Sequence, residues 1–442
     1  MFEEQSVLIL GAGASASYGY PTGNKLIDEI INAVDQDKFF IPISRSAERG
    51  FVLYSDQVPQ NTEDEFTHYS PDDLEKLVFL EKNNIVEFDE LCEQFSIEYE
   101  YLSPSYIGVE GYQLPTKNSN IKLQQTSFNG IAPFAELAKA LKQFDPVSID
   151  KFLKDHPSHE PVGKLMIVYC MLKHEKECYF SKENEKNWYR LLINKLTSGC
   201  KKPEDLLENK LDIITFNYDI SLDYYLRTTL RKMEYFKDNI DNYFKSEAYP
   251  IIKDSHVYGW LHSPSENEGD GVDTGYGFED KLDIKYPDTA YPELRDSTEF
   301  PPEESVVIQS LQISELNKDI KNSLRLFYAY KLRENIKVIG EDKSERICKR
   351  SHKKLAQAKN VYIIGFGFDS DNQKLIGLPE CLAKKDKNFY WLDYGGKLNS
   401  VARSISKLES ESDNNMSVVR STYTNIQDAW NNDFMTALIV KN

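Results

Sequence analysis

The apolar run Val7-Leu8-Ile9-Leu10 breaks directly into Gly11-Ala12-Gly13-Ala14-Ser15, and a helical stripe follows with Leu26, Ile27, Ile30 and Ile31 on one face between about 25 and 34. A short β-rich run, a glycine turn and a 3.6-period stripe predict strand, turn and helix, the start of a nucleotide-binding α/β unit. Glycines in such a turn let the backbone approach a pyrophosphate, and amides at a helix start favour anions. Gly19 follows Gly13 by six residues instead of the three of the dinucleotide fingerprint. A structural strand–helix turn therefore explains the same residues as well as a nucleotide site does. The extension Gly19-Tyr20-Pro21-Thr22-Gly23 predicts a shaped loop, not an immediate helix start.

Strand signals return at Leu211–Phe216, around Ser255–Tyr258, and at Ser305–Ile308, Asn360–Ile364 and Asn388–Leu392. Helix-spaced apolar faces occur at Ile85–Leu91, 161–175 and 184–197, the last ending at Gly199, and helices are expected at 313–334 and 343–358. Strands alternating with helices predict an α/β fold, a Rossmann-like, mainly parallel sheet with a large, mostly helical insertion. The core is expected over 1–40 and 205–442 and the insertion over 63–200. Residues 40–62 read as irregular and polar, and 98–130 as loop or short strands. The acidic, Gly/Pro-punctuated segment 263–305 reads as a loop or lid within the core.

Composition narrows the function. Lys and Arg total 53 against 71 Asp and Glu, a net charge of −18 that argues against direct nucleic-acid or anionic-membrane binding. No apolar run reaches the ~18 residues of a membrane helix. Met1-Phe2-Glu3-Glu4-Gln5 puts acid where a signal peptide is basic, so a cytoplasmic location is expected. None of the six cysteines forms a Cys-x-x-Cys pair, and His68, His156, His159, His174, His262 and His352 lack ligand spacing. No metal is expected.

Three further segments carry candidate chemistry. Thr215-Phe216-Asn217-Tyr218-Asp219 ends a strand, at the edge where parallel sheets collect ligands. An Asn amide there can fix a ribose hydroxyl or a water, and an Asp can accept from a hydroxyl or amide; both residues also simply end strands in turns. In His256-Val257-Tyr258-Gly259, a strand would place His256 and Tyr258 on one face. His256 can then be a general base near neutral pH, or a satisfied core histidine. Gly365-Phe366-Gly367-Phe368-Asp369-Ser370-Asp371-Asn372 is a second glycine turn, and Asp393 ends the next strand, where acidic residues of dinucleotide folds take ribose hydroxyls. The basic stretch Lys343–Lys359 reads as a solvated helix face or a self-docking surface.

In this order, with Ser148-Ile149-Asp150-Lys151-Phe152-Leu153 and Asn187-Trp188-Tyr189 between them, the motifs resemble the sirtuin superfamily. The chain looks most like the bacterial sirtuin-like effectors of antiphage defence, which degrade NAD+. The resemblance touches about 1–35, 148–262 and 355–395. It implies an NAD+ glycohydrolase that depletes NAD+ in abortive infection, with NAD+ as substrate. Ala12, Gly13, Ala14 and Ser15 would line the pyrophosphate, and Gly11 and Pro21 would belong to the same cofactor site. Asn217, Asp219 and His256 would be catalytic, Asn217 placing the water and ribose, Asp219 the amide end, and His256 assisting proton removal. Thr215, Tyr258, Gly365, Gly367, Asp369, Asn372 and Asp393 would complete the NAD+ site. The resemblance also implies a trigger, either homo-oligomerisation or a defence-system partner protein. Tyr258 stands where sirtuins carry the histidine before the glycine. The four-cysteine zinc module is absent, and Thr22-Gly23-Asn24 follows Pro21. Two alternatives stay open: a catalytically silent nucleotide sensor, and an NAD-dependent deacylase or ADP-ribosyltransferase.

Overall fold

The computed structural model of the chain describes residues 1–42, 94–95, 123–181, 187–236, 256–261, most of 318–338, 345–382, 387–392 and 419–420. Strand β1 (Ser6–Leu10) is buried along its whole length. That is why it reads as an unbroken apolar run: a parallel strand covered on both faces has no polar side to alternate with. Two more strands are β2 (Lys38–Pro42) and β3 (Leu123–Ser127), an antiparallel pair that sets residue 42 beside residue 123. The sheet proper adds β4 (Leu211–Thr215), β5 (Asn360–Ile364), β6 (Asn388–Leu392) and the two-residue β7 (Val419–Arg420). All its pairings are parallel, in the order β4-β1-β5-β6-β7.

This order places the site. From β1 the chain reaches β4 on one side, then returns past β1 to β5 on the other. Leu10 lies opposite both Thr215 and Ile364, so three strands end level and their turns leave from one edge. The carboxyl edge where strand order reverses is where open α/β sheets bind ligands.

After β1 comes a single helical turn, α1 (Ala12–Ser15), then a 3-10 turn to Tyr18 and a left-handed Gly19 with φ 84°. The helix is thus entered at once but lasts one turn, and the long helix α2 (Gly23–Gln36) starts afresh beyond the Gly19 bend. Its Leu26, Ile27, Ile30, Ala33 and Val34 are buried. Helices α3 (Ala132–Phe144), α4 (Ile149–Asp155) and α5 (Glu160–Leu172) pack on α2 and on one another. In α5 every residue from Val162 to Leu172 is buried, as befits a helix that is apolar all round. One continuous apolar cluster joins the sheet to these helices. Helix α6 (Tyr189–Thr197) ends before Gly199, whose φ of 82° marks the stop expected there.

Helix α7 (Ser221–Lys232) follows β4, and α8 (Glu345–Gln357), α9 (Ser370–Ile376) and α10 (Leu378–Leu382) flank β5. The basic helix α8 is not wholly solvated. Leu355 is buried, and Lys354 lies 3.4 Å from Asp212; burial lowers the Lys354 pKa despite that carboxylate.

Two expectations are corrected. The stretch after residue 40 is not irregular from its start, because β2 runs to Pro42. The strand expected around 255–258 is not continued over 256–258: His256 makes one parallel bridge to Thr215, the chain turns, and Gly259 bridges Ile336. Gly259 explains the turn, with φ 79° and no room for a Cβ, which would fall 2.0 Å from the Asn335 carbonyl oxygen. His256 and Tyr258 therefore do not share a strand face. The expectations at 85–91, 263–305 and 305–308 lie outside the described residues. No described helix is long and apolar enough to cross a membrane.

Candidate functional site

The two glycine turns pack backbone on backbone. The Gly11 amide donates to the Ile364 carbonyl at 3.0 Å, and the Gly13 amide to the Gly365 carbonyl at 3.1 Å. A Cβ on Gly11 would lie 2.5 Å from the Gly365 oxygen, and one on Gly365 (φ 61°) 2.2 Å from the Ala14 nitrogen. Their smallness is thus accounted for by each other, with no ligand needed. Gly367 is different: a Cβ there meets nothing within 4 Å. Asp369 caps α9, accepting from the amides of Asp371 (2.9 Å) and Asn372 (3.1 Å), so its carboxylate already serves the helix start. Pro21 is buried and Ala12 exposed. Asp393 lies outside the described residues.

Asn217 sits just past β4. Its backbone amide donates to Thr215 Oγ1 at 3.1 Å, and its side-chain Nδ2 to Ser15 Oγ at 2.9 Å. Ser15 belongs to the first glycine turn, so the structure joins two segments 202 positions apart in the chain. The residue is buried, yet its Oδ1 has no hydrogen-bond partner. A buried acceptor left bare costs about 1–3 kcal/mol. Asp219 lies beside it, accepting from the Ser221 amide at 3.1 Å and from the Ser221 hydroxyl. Burial raises the Asp219 pKa, against the pull of Ser221, Ser15 and His256.

His256 is 3% exposed and held at both nitrogens. Nδ1 is 2.9 Å from the Asn217 carbonyl oxygen, and Nε2 is 3.2 Å from Asp223 Oδ2. Burial pulls its pKa down, but Asp223, the Asn217 carbonyl and Asp219 together outweigh burial and leave it raised. The expected free base is therefore a tethered group here. Tyr258 points elsewhere. Its hydroxyl donates to Asn372 Oδ1, and its ring lies 5.8 Å from Phe216 and 6.4 Å from Tyr218. Burial pushes its phenol well up. Tyr218 in turn donates its hydroxyl to Asp150, with the Lys337 carbonyl oxygen 3.0 Å from the same phenol oxygen, which brings α4 over the same edge.

Sequence reasoning missed the layer beneath. Trp188 Nε1 donates to the Ala14 carbonyl at 2.9 Å, Tyr18 donates to Asn187 Oδ1 at 3.0 Å, and Tyr189 shares a 2.7 Å hydrogen bond with Ser221 Oγ. Tyr18 and Tyr189 stack with centroids 3.9 Å apart. The phrase Asn187-Trp188-Tyr189 carried the signal, as polar-tipped aromatics in a helical setting, but not the position. Asp223, four residues beyond Asp219, is a first-turn acid of α7, a position that local pattern does not mark out.

No protein-family model, curated protein or solved structure matches the chain. The site speaks through its own chemistry. Among the described residues no group of three or more His, Cys, Asp or Glu is placed to hold a metal. What the edge offers is a bare amide oxygen, the Ser15 hydroxyl, two buried carboxylates and an imidazole held between Asp223 and the Asn217 carbonyl. Such a set suits a ligand bearing hydroxyls or an amide and a centre that gains positive charge.

Proposed function

We propose that this chain is an NAD+ glycohydrolase, built on a Rossmann-like core with 63–200 as a helical insertion. The observation that carries the reading is the partnerless Oδ1 of buried Asn217, at the sheet edge where the strand order reverses. A buried acceptor without a donor is the mark of a group that waits for one. A ribose hydroxyl, a carboxamide or an attacking water supplies it. In the reaction the nicotinamide–ribose C–N bond breaks, and its electron pair leaves with the ring, which becomes neutral nicotinamide. Water adds to the oxocarbenium-like carbon and loses a proton, giving ADP-ribose. Asn217 orients water and ribose. Asp219 supplies negative charge at the same edge.

The motif order that resembles sirtuin-like defence effectors supports the same reading. Gly367, the turn glycine with free space beside it, is where the backbone can approach a dinucleotide. Gly11, Gly13 and Gly365 shape that turn from behind. An NAD+-destroying enzyme in a bacterial cytoplasm must be off until needed, so activity is triggered by self-assembly or by a partner protein.

The test is the release of nicotinamide and ADP-ribose from NAD+ by the wild-type chain beside Asn217→Ala. Wild type is expected to release both in equal amounts, and the variant to lose ~10²-fold or more in turnover while staying folded. Undiminished turnover in the variant would sink the assignment. The tethering of His256 favours one other reading, a sensor that binds NAD+ without cleaving it. Tight NAD+ binding with no nicotinamide release, even after assembly, is its signature.

A further inference from the structure

We infer that His256 is a positioning residue, held as a doubly protonated imidazolium between the Asn217 carbonyl and Asp223, and is not the group that takes a proton from the nucleophile. Its catalytic meaning rests on the NAD+ reading; its chemistry does not.

The argument is one of donors and acceptors. A backbone carbonyl only accepts, so the ring nitrogen 2.9 Å from the Asn217 oxygen carries a hydrogen. The carboxylate 3.2 Å from Nε2 also only accepts, so that nitrogen carries one too. A neutral imidazole has one N–H and would turn a lone pair toward one of these oxygens. A ring with hydrogens on both nitrogens has no lone pair with which to act as a base.

The setting makes the ring a tie-bar. Val257 donates to the Thr215 carbonyl at 2.8 Å and Leu261 to the Tyr218 carbonyl at 2.8 Å, so 256–261 is stitched along 215–218. The His256 bond to the Asn217 carbonyl lies between these two and reaches the residue whose amide faces the ligand. Asp223 anchors the other side of the ring from the first turn of α7. Among the described residues, the charged groups facing the ring are Asp223 and Asp219. Trp260 packs edge-on at 5.4 Å, and the Tyr189 phenol, beyond Asp219, is kept neutral by burial. Losing one proton from His256 thus breaks a tie on the Asn217 turn.

The two roles predict opposite pH profiles. A general base works better as pH rises through its pKa, whereas a charged tie works worse. The full-length chain, with histidine nitrogens isotopically labelled, is titrated by NMR from about pH 5 to about pH 8, the range in which histidines change charge. His256→Gln assigns the signal. Asp223→Asn, which is nearly isosteric, is the second variant, and NAD+ turnover is measured on the same samples. Both His256 nitrogens are expected to be protonated at neutral pH, with the midpoint falling by about one unit or more in Asp223→Asn. Turnover is expected to fall as pH climbs through the His256 midpoint. In Asp223→Asn, kcat is expected to drop ~10-fold or more, with KM for NAD+ changed little. A bare ring nitrogen in the wild type at neutral pH, or turnover that rises through the His256 midpoint, overturns the inference. A wild type that never consumes NAD+ counts against the hydrolase reading instead, and the nitrogen signals then decide the tie alone.

Discussion

Gly365 and Gly367 stand two residues apart and face opposite demands. Gly365 has a left-handed backbone and the Ala14 nitrogen where its Cβ would go, so Gly365→Ala combines strain with an overlap against backbone that cannot swing aside. Its cost is expected to exceed ~2 kcal/mol, read as a fall in the urea midpoint. Gly367→Ala is expected to stay within about 0.5 kcal/mol of wild type. If it also weakens NAD+ binding, the open side of that glycine faces the ligand. His256 adds a pH signature at the same scale. Its folded pKa is raised above the ordinary 6.5, chiefly by Asp223 once burial is overcome. The stability it contributes is therefore complete below about pH 6.5 and is lost as pH rises through the folded value. Urea unfolding of wild type and Asp223→Asn from acid to mildly alkaline pH should show the wild-type advantage shrinking as pH rises. A constant difference would mean that the pair does not titrate as a unit.

Among the elements, α5 shows how composition and packing agree. A helix buried from Val162 to Leu172 has no solvated face, so any truncation on it leaves a cavity. Leu165→Ala is expected to cost about 2–5 kcal/mol, with the denaturant slope unchanged. The outcome to watch is a cost well below this range, which would mean that the helical block repacks freely. The short α1 teaches the reverse lesson. Its glycine turn reads as a phosphate cradle in the sequence, yet one helical turn and a Gly365 carbonyl against the Gly13 amide leave it a packing device first. Asp369 is similar: the resemblance puts it in the NAD+ site, yet its carboxylate is spent on the start of α9.

For the whole molecule, the order β4-β1-β5-β6-β7 gathers residues from 68 to 202 positions apart. Ser15 meets Asn217, Asp150 meets Tyr218, and Tyr258 meets Asn372, all on one edge of one sheet. The proposed trigger belongs to this scale. If activity depends on self-assembly, NAD+ consumption per chain should rise steeply with protein concentration, in step with the mass measured by light scattering. Full activity in a dilute monomer would remove the need for a trigger.

The sequence by itself determined the class of fold and the segments that matter. Periodicity and glycine punctuation report local backbone preferences, and those suffice to mark β1, β4, β5 and β6, helices α2, α5, α6 and α8, and the turns that hold Asn217 and Gly365. It did not determine what each polar atom does. Whether a glycine spares room for a phosphate or for another glycine, whether an aspartate caps a helix or waits for a ribose, and whether a histidine is free or tied at both nitrogens depend on partners far away in the chain. Local propensity does not contain that information, because a hydrogen bond belongs to two residues at once. Only the tertiary structure brought the partners together, and in doing so it left the buried Oδ1 of Asn217 without one.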